Sequence, residues 1–195
     1  MTVRPRERAR VSDRDRLKRF EQIALPHLDA AYNLARWLTG NGHDADDVVQ
    51  ESFMRALKYL DGFHGDNGRS WLLTIVRHTC YSWLSVNRPK KVVGVFDEAA
   101  YAEENDTDPA LAGVSPRDNP ETLAMRAVDA ESINAAIEDL PLPYKEVLIL
   151  RELEDLSYKE IAKVLTVPVG TVMSRLSRAR LMLRERLQGR LGEEG

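Results

Sequence analysis

Arginine crowds one stretch of this sequence, and its neighbours define the chemistry open to it. In the run TVMSRLSRARLMLRERL, Arg175, Arg178, Arg180 and Arg184 alternate with Thr171, Met173, Ser174 and Ser177. On the outer face of a helix, such side chains reach phosphates and base edges in a major groove. The plainer reading is an ordinary helical hairpin whose arginines form a solvated face. A second constellation lies earlier. Asp66, Asn67 and Arg69 sit in a glycine-punctuated loop, and Arg77 and His78 interleave with Trp71, Tyr81 and Trp83, with Lys90 and Lys91 close behind. Rings on which bases stack, beside cations that hold a backbone, suit single-stranded nucleic acid. The alternative is that the tryptophans are core and the cations a rim, and Trp71 with its i+4 neighbour Ile75 reads as core. A third group, Asp46, Asp47, Gln50 and Glu51, reads either as helix-start chemistry or as a docking face for a basic partner.

No catalytic constellation accompanies these groups. The sequence has no glycine-rich phosphate loop, no nucleophile elbow and no zinc-protease helix signature. His27, His43, His64 and His78 are scattered and share no metal-ligand spacing with Cys80. The expectation is a protein that is not an enzyme, with no cofactor, no metal and no small-molecule substrate.

The arginine-rich run needs a scaffold, and its flanks supply one. Ser157 and Glu160 form a capping box that starts a short helix. Ile161, Ala162 and Leu165 share its apolar face, while Lys159 and Lys163 point out. The segment from Thr166 to Gly170 breaks the period, and Pro168 suits the start of the next helix. Val172, Leu176, Ala179 and Leu183 then form a buried stripe at helical spacing. Agreement of capping box, turn and stripe favours a helix-turn-helix over an arbitrary basic hairpin.

Elsewhere the helical period also dominates. Residues 1–16 alternate charged and polar types and read as a mobile tail. From Leu17 the period sets in, with Leu28, Ala31, Ala35 and Leu38 on one face and a stop at residues 39–42. Asp44 reads as the cap of the next helix, whose stripe is Ala45, Val49, Phe53, Ala56 and Leu60. Residues 92–120 gather acids, prolines and glycines without apolar periodicity, which is the composition of a flexible acidic linker. Beyond it, Val128, Ile133, Ala136, Ile137 and Leu140 mark one helix, closed by Pro141 and Pro143. Val147, Leu148, Leu150 and Leu153 mark another. The predicted class is all-α, with two small helical domains, residues 17–91 and 121–190, joined by the linker.

Composition limits the partners. The chain has 195 residues, 43% hydrophobic and 30% charged, and a formal net charge of −3. It is therefore no globally basic DNA-coating protein, and any nucleic-acid contact must use local positive charge. A single cysteine, a charged N-terminus and no apolar run of membrane-spanning length predict a cytoplasmic protein.

Taken together, the chain resembles the extracytoplasmic-function group of bacterial RNA polymerase sigma factors over roughly residues 20–187. The most specific stretch is LPLPYKEVLILRELEDLSYKEIAKVLTVPVGTVMSRLSRARLMLRERL, followed by DADDVVQESFMRAL and FHGDNGRSWLLTIVRHTCYSWL. That resemblance implies partners: core RNA polymerase through its largest and second-largest subunits, promoter DNA and an anti-sigma factor. It implies that Asp46, Asp47, Gln50, Glu51 and Phe53 dock on the largest subunit. Asp66, Asn67, Arg69, Arg77, His78, Tyr81 and Trp83 would read and open the minus-10 element. Thr171, Met173, Ser174, Arg175, Ser177 and Arg178 would read the minus-35 element. The linker would thread toward the polymerase active centre. Met173 departs from the family's usual Lys or Arg, His78 from its asparagine and Ser82 from its aspartate. A stand-alone dimeric helix-turn-helix regulator is the second reading, and it gives the aromatic and cationic helix no role. In a third, the N-terminal domain is a protein-docking module without nucleic-acid function.

Overall fold

The structure, a computed structural model, describes residues 5–88 and 131–193, with side chains for residues 13–88 and 131–188. Among these residues there is no strand. The predicted acidic linker at 92–120 lies outside the described residues, as do Lys90, Lys91 and Val128.

Helix α1 spans Pro5–Ala24, so the stretch read as a tail is helical from residue 5. Arg16 anchors its inner part, donating to the Leu57 carbonyl at 2.8 Å and pairing with Asp61 at 3.3 Å. The sequence reading carried one helix through residues 17–39. Pro26 instead produces a single 3-10 turn, Leu25–His27, before α2 at Leu28–Thr39. Leu28 consequently stays 44% exposed, while Ala31, Leu34, Ala35 and Leu38 are buried. Gly40, at φ 91°, ends α2 in the left-handed region and returns its N–H to the Arg36 carbonyl.

Helix α3 spans Gly42–Tyr59, and its cap is Asn41 rather than Asp44. The Asn41 side chain accepts from the Asp44 N–H at 2.9 Å, which moves Asp44 into the first turn. Ala45, Val48, Val49, Ser52 and Ala56 face inward. Helix α4, Gly68–Asn87, is capped by Asn67, which accepts from the Ser70 N–H at 2.8 Å. Gly68 is required there, since a Cβ would lie 2.8 Å from the Ile23 carbonyl oxygen. Helices α2, α3 and α4 pack mutually, with α1 across α3 and α4.

In the C-terminal half, residues 131–138 form α5, and α6 spans Leu142–Leu148. Pro143 opens α6 instead of closing the helix before it, because an initial turn has no use for its missing N–H. Helix α6 then runs into a π turn at Ile149–Leu153. The extra residue in that turn shifts the helical phase. Ile149 is thereby buried, and Leu153, expected in the stripe, is 50% exposed. Ile133 likewise sits outside the core, 40% exposed.

Helix α7, Tyr158–Leu165, begins with the predicted capping box, both arms of which form. Thr166 follows at φ 57°, a left-handed position that is costly for a β-branched residue. Helix α8 runs Val169–Glu193, the Pro168 carbonyl receiving the Val172 N–H. Val172, Leu176 and Ala179 are buried as expected, and Leu183 is half-buried. Helix α8 closes on α6 and α7, while α7 and α6 reach across to α4 and α2. The buried apolar residues of both halves therefore form one continuous cluster.

The capping box carries a stability prediction. The Ser157 hydroxyl and N–H both donate to Glu160, holding its carboxyl below its ordinary value of 4.5. A lowered carboxyl contributes stability above that value and loses it as pH falls through the folded one. Ser157→Ala is expected to cost about 1 kcal/mol in urea unfolding at pH 7. That cost should shrink once the pH is well below 4.5.

Candidate nucleic-acid and polymerase interface

Three surfaces emerge. On α3, Asp46, Asp47, Gln50 and Glu51 are all exposed, and Glu51 is bonded by Arg55 one turn on at 2.7 Å. Phe53 sits apart from them. It is half-buried and meets Phe20 edge-on, ring centroids 6.0 Å apart. The same face presents Met54, 64% exposed, which the sequence reading passed over. Its signal was available, since Met54 lies at i+3 and i+4 from Glu51 and Gln50, outside the apolar stripe.

The second surface is the loop and α4. Phe63 and Trp71 stack with centroids 4.7 Å apart, which fixes the loop on the helix. Asp66 and His78 are exposed, and partial burial with the Arg77 charge lowers the His78 imidazole below its ordinary 6.5. Trp83 is half-buried, with the Arg88 guanidinium 5.6 Å from its ring centre. The remaining members are tied up. Arg77 donates twice to Glu146, at 2.8 and 3.2 Å, and lies over the Tyr81 ring at 4.5 Å. The Tyr81 hydroxyl donates to the same carboxylate at 3.0 Å. Arg69 donates to Glu154 at 2.6 Å, and Asn67 to Glu160 at 2.7 Å. All three acceptors belong to the C-terminal half. Sequence spacing could not reveal them, because their partners lie 65 to 93 residues away.

Glu146 is 1% exposed and Glu154 4%. Burial opposes the charge on Arg77, yet the hydrogen bonds and charge of Glu146 outweigh it and raise the guanidinium pKa. Burial, then the Glu146 charge, pushes the Tyr81 phenol above its ordinary value of 10. Both groups therefore hold their protons through the physiological range.

The third surface is the outer face of α8. Met173, Ser174 and Ser177 are exposed, and Thr171 and Arg178 are half-exposed beside them. Met173 is 54% exposed, an apolar side chain held in water. Arg175 differs from the expectation of an outward cation. Its side chain is 13% exposed and lies 3.9 Å from Glu146, below the helix surface. Arg180 is drawn toward Glu152 at 2.9 Å.

Residues 23–89 match Sigma-70 region 2, and residues 130–183 match Sigma-70, region 4. These matches, on an all-helical fold, define a sigma-70-type transcription initiation factor. The chain is 38% identical over 146 residues to the ECF RNA polymerase sigma-E factor of Salmonella typhimurium, a span of 74% of each protein. It belongs to the extracytoplasmic-function sigma factors, and it acts as an alternative sigma factor that directs RNA polymerase in transcription initiation. Among solved structures, the sigma factor RpoE in complex with the anti-sigma factor NepR from Bartonella quintana is similar. The TM-score is 0.62 at 28% identity, covering 87% of this chain and 96% of that one. CnrH in complex with the cytosolic domain of CnrY gives 0.57 at 26% identity, covering 87% and 88%.

The buried carboxylate makes a graded prediction. Glu146→Ala strands Arg77, whose side chain is 16% exposed, and is expected to cost roughly 3 kcal/mol. Arg77→Met should cost less, because Arg175 remains within 3.9 Å of Glu146. Equal losses in urea unfolding would contradict this arrangement.

Proposed function

We propose that the three surfaces divide the work of promoter recognition. Asp46, Asp47, Gln50 and Glu51, with Met54 beside them, dock on the largest subunit of core polymerase. Phe53 supports that face from beneath through Phe20. Asp66, Asn67, Arg69, Arg77, His78, Tyr81 and Trp83 hold the minus-10 strand once the duplex opens. Stacking on rings and bonding by cations offset the few kcal/mol that unstacking a base costs. Thr171, Met173, Ser174, Ser177 and Arg178 face the minus-35 major groove. Arg175 orients α8 through Glu146 in the closed form described here and reaches phosphate only if that contact loosens.

The observation that carries this reading is the two-faced character of α8. Val172, Leu176 and Ala179 are buried while Met173, Ser174 and Ser177 are exposed, so the polar face is presented to a groove by a helix pinned from behind. The protein is read as a cytoplasmic, non-catalytic polymerase subunit. None of its described helices is long and apolar enough to cross a membrane. The two similar solved structures are complexes with anti-sigma factors, and an anti-sigma partner is proposed for this chain as well.

Run-off transcription with purified bacterial core polymerase on a fragmented genomic template tests the assignment. Discrete new transcripts that require the protein are expected, and aligned start sites reveal both promoter elements. Specific DNA binding by the protein alone, without transcripts, would favour the dimeric regulator. Within the minus-35 site, Arg178→Ala should lose roughly 1–3 kcal/mol of discrimination at one base pair. Uniform loss on all sequences would make it a phosphate contact. Met173→Arg should steepen the salt dependence of promoter binding by about one counterion. An unchanged slope would place residue 173 away from the backbone.

A further inference from the structure

We infer that helix α1 is a further DNA-binding element, a basic arm that lies along the phosphates of duplex DNA flanking the minus-10 strand. This role rests on the assignment of the loop and α4 to that strand, and it adds a contact outside both promoter elements.

The charge of α1 is local and positive. Its 20 residues, Pro5–Ala24, carry seven Lys and Arg against four Asp and Glu, in a chain whose net charge is −3. Arg6, Arg10, Arg14 and Lys18 recur at every fourth residue, which sets them by register along one side of the helix. From Arg6 to Lys18 is about 18 Å, a length over which one DNA strand passes about five phosphates. Arg14 and Lys18 are exposed. Both lie roughly half a turn around the helix from Arg16, whose side chain reaches the Leu57 carbonyl and Asp61. Between Pro5 and Arg19 only Ala9, Val11 and Leu17 are apolar, too few to give a lipid surface a face to take up.

The helix is fixed where it meets the minus-10 loop. Arg19 donates to the Phe63 carbonyl at 2.6 Å, and a Cβ on Gly68 would lie 2.8 Å from the Ile23 carbonyl oxygen. Phe63 in turn stacks on Trp71. The loop is thus seated on the carboxyl end of α1, and the helix runs on from it for about 20 Å between Arg19 and Pro5. Helix α3, against which α1 packs, exposes Asp46, Asp47, Gln50 and Glu51, the groups assigned to polymerase docking. A basic surface matched to those acids would repel the cations of α1, so the two faces do not suit one partner. Duplex DNA beside the opened strand is the polyanion that a basic arm at this place meets. Such an arm touches phosphates and carries no sequence preference of its own.

Arg14→Gln with Lys18→Gln, in the full chain bound to core polymerase, tests the arm. Promoter binding is measured over a salt series, and hydroxyl-radical footprinting reads the backbone on both sides of the minus-10 element. The variant is expected to flatten the plot of log affinity against log salt by about 1.8. The unaltered protein then loses roughly tenfold more affinity than the variant between about 50 and 200 mM salt. Backbone protection flanking the minus-10 element should weaken, with start sites unchanged. Arg14→Lys with Lys18→Arg should keep both slope and footprint, because a phosphate contact of this kind needs only the charge. Adding Arg6→Gln and Arg10→Gln to the first variant should flatten the slope further. An unchanged slope and footprint in the first variant would overturn the arm and leave the sigma assignment standing. Weaker binding to core polymerase at an unchanged slope would also overturn it, placing α1 on the polymerase instead. An unaltered holoenzyme that gives transcripts without protecting the minus-10 strand would remove the minus-10 assignment, and the arm with it.

Discussion

A single carboxylate almost out of contact with water organises this molecule. Glu146 is 1% exposed and receives Arg77 twice and Tyr81 once, with Arg175 close by. Burying an anion costs several kcal/mol of desolvation, and a buried pair is worth having only when its remaining valences are met. Here they are met from two directions, by α4 of one half and α8 of the other. Such a contact adds little net stability compared with an apolar filling. What it adds is register, because a displaced α4 would leave charges buried and unpaired. Around it, the apolar residues of both halves pack into one cluster, which supplies the attraction that the ion pair does not.

The recognition helix inherits its orientation from this arrangement. Helix α8 buries Val172, Leu176 and Ala179 and cannot rotate about its axis without exposing them. Its entry is set by the tight turn after α7, where Thr166 accepts a left-handed conformation at some cost. Strain of that kind persists only where the surroundings determine it, here by the capping box before it and the packed stripe after it. The outcome is a rigid frame carrying a polar face, with Met173 at its exposed edge. That side chain is apolar and 54% exposed.

The charge distribution follows the same logic. A protein of net charge −3 cannot attract DNA as a whole. Its cations gather on α1 and α8, while the two arginines of α4, Arg69 and Arg77, are paired with carboxylates of the other half. The acidic face of α3 remains open to solvent.

Much of this was written in the sequence, for identifiable reasons. The capping box of Ser157 and Glu160, the stripe on α8, the exposed acids of α3 and the all-helical class depend on interactions three or four residues apart, and spacing reports those directly. The errors also had local physical causes: Pro26 splitting one expected helix, Asn41 capping in place of Asp44, and a π turn rotating Leu153 outward. What spacing could not report was which carboxylate each cation meets. Arg69, Arg77 and Arg175 all read in sequence as outward cations, yet each meets a carboxylate from a distant segment. The sequence by itself determined the helices, their faces and the kinds of groups they carry, because these are set by neighbours within a turn or two. Tertiary structure alone decided which of those groups are exposed and which are paired, because Coulomb attraction and desolvation depend on distance in space rather than along the chain.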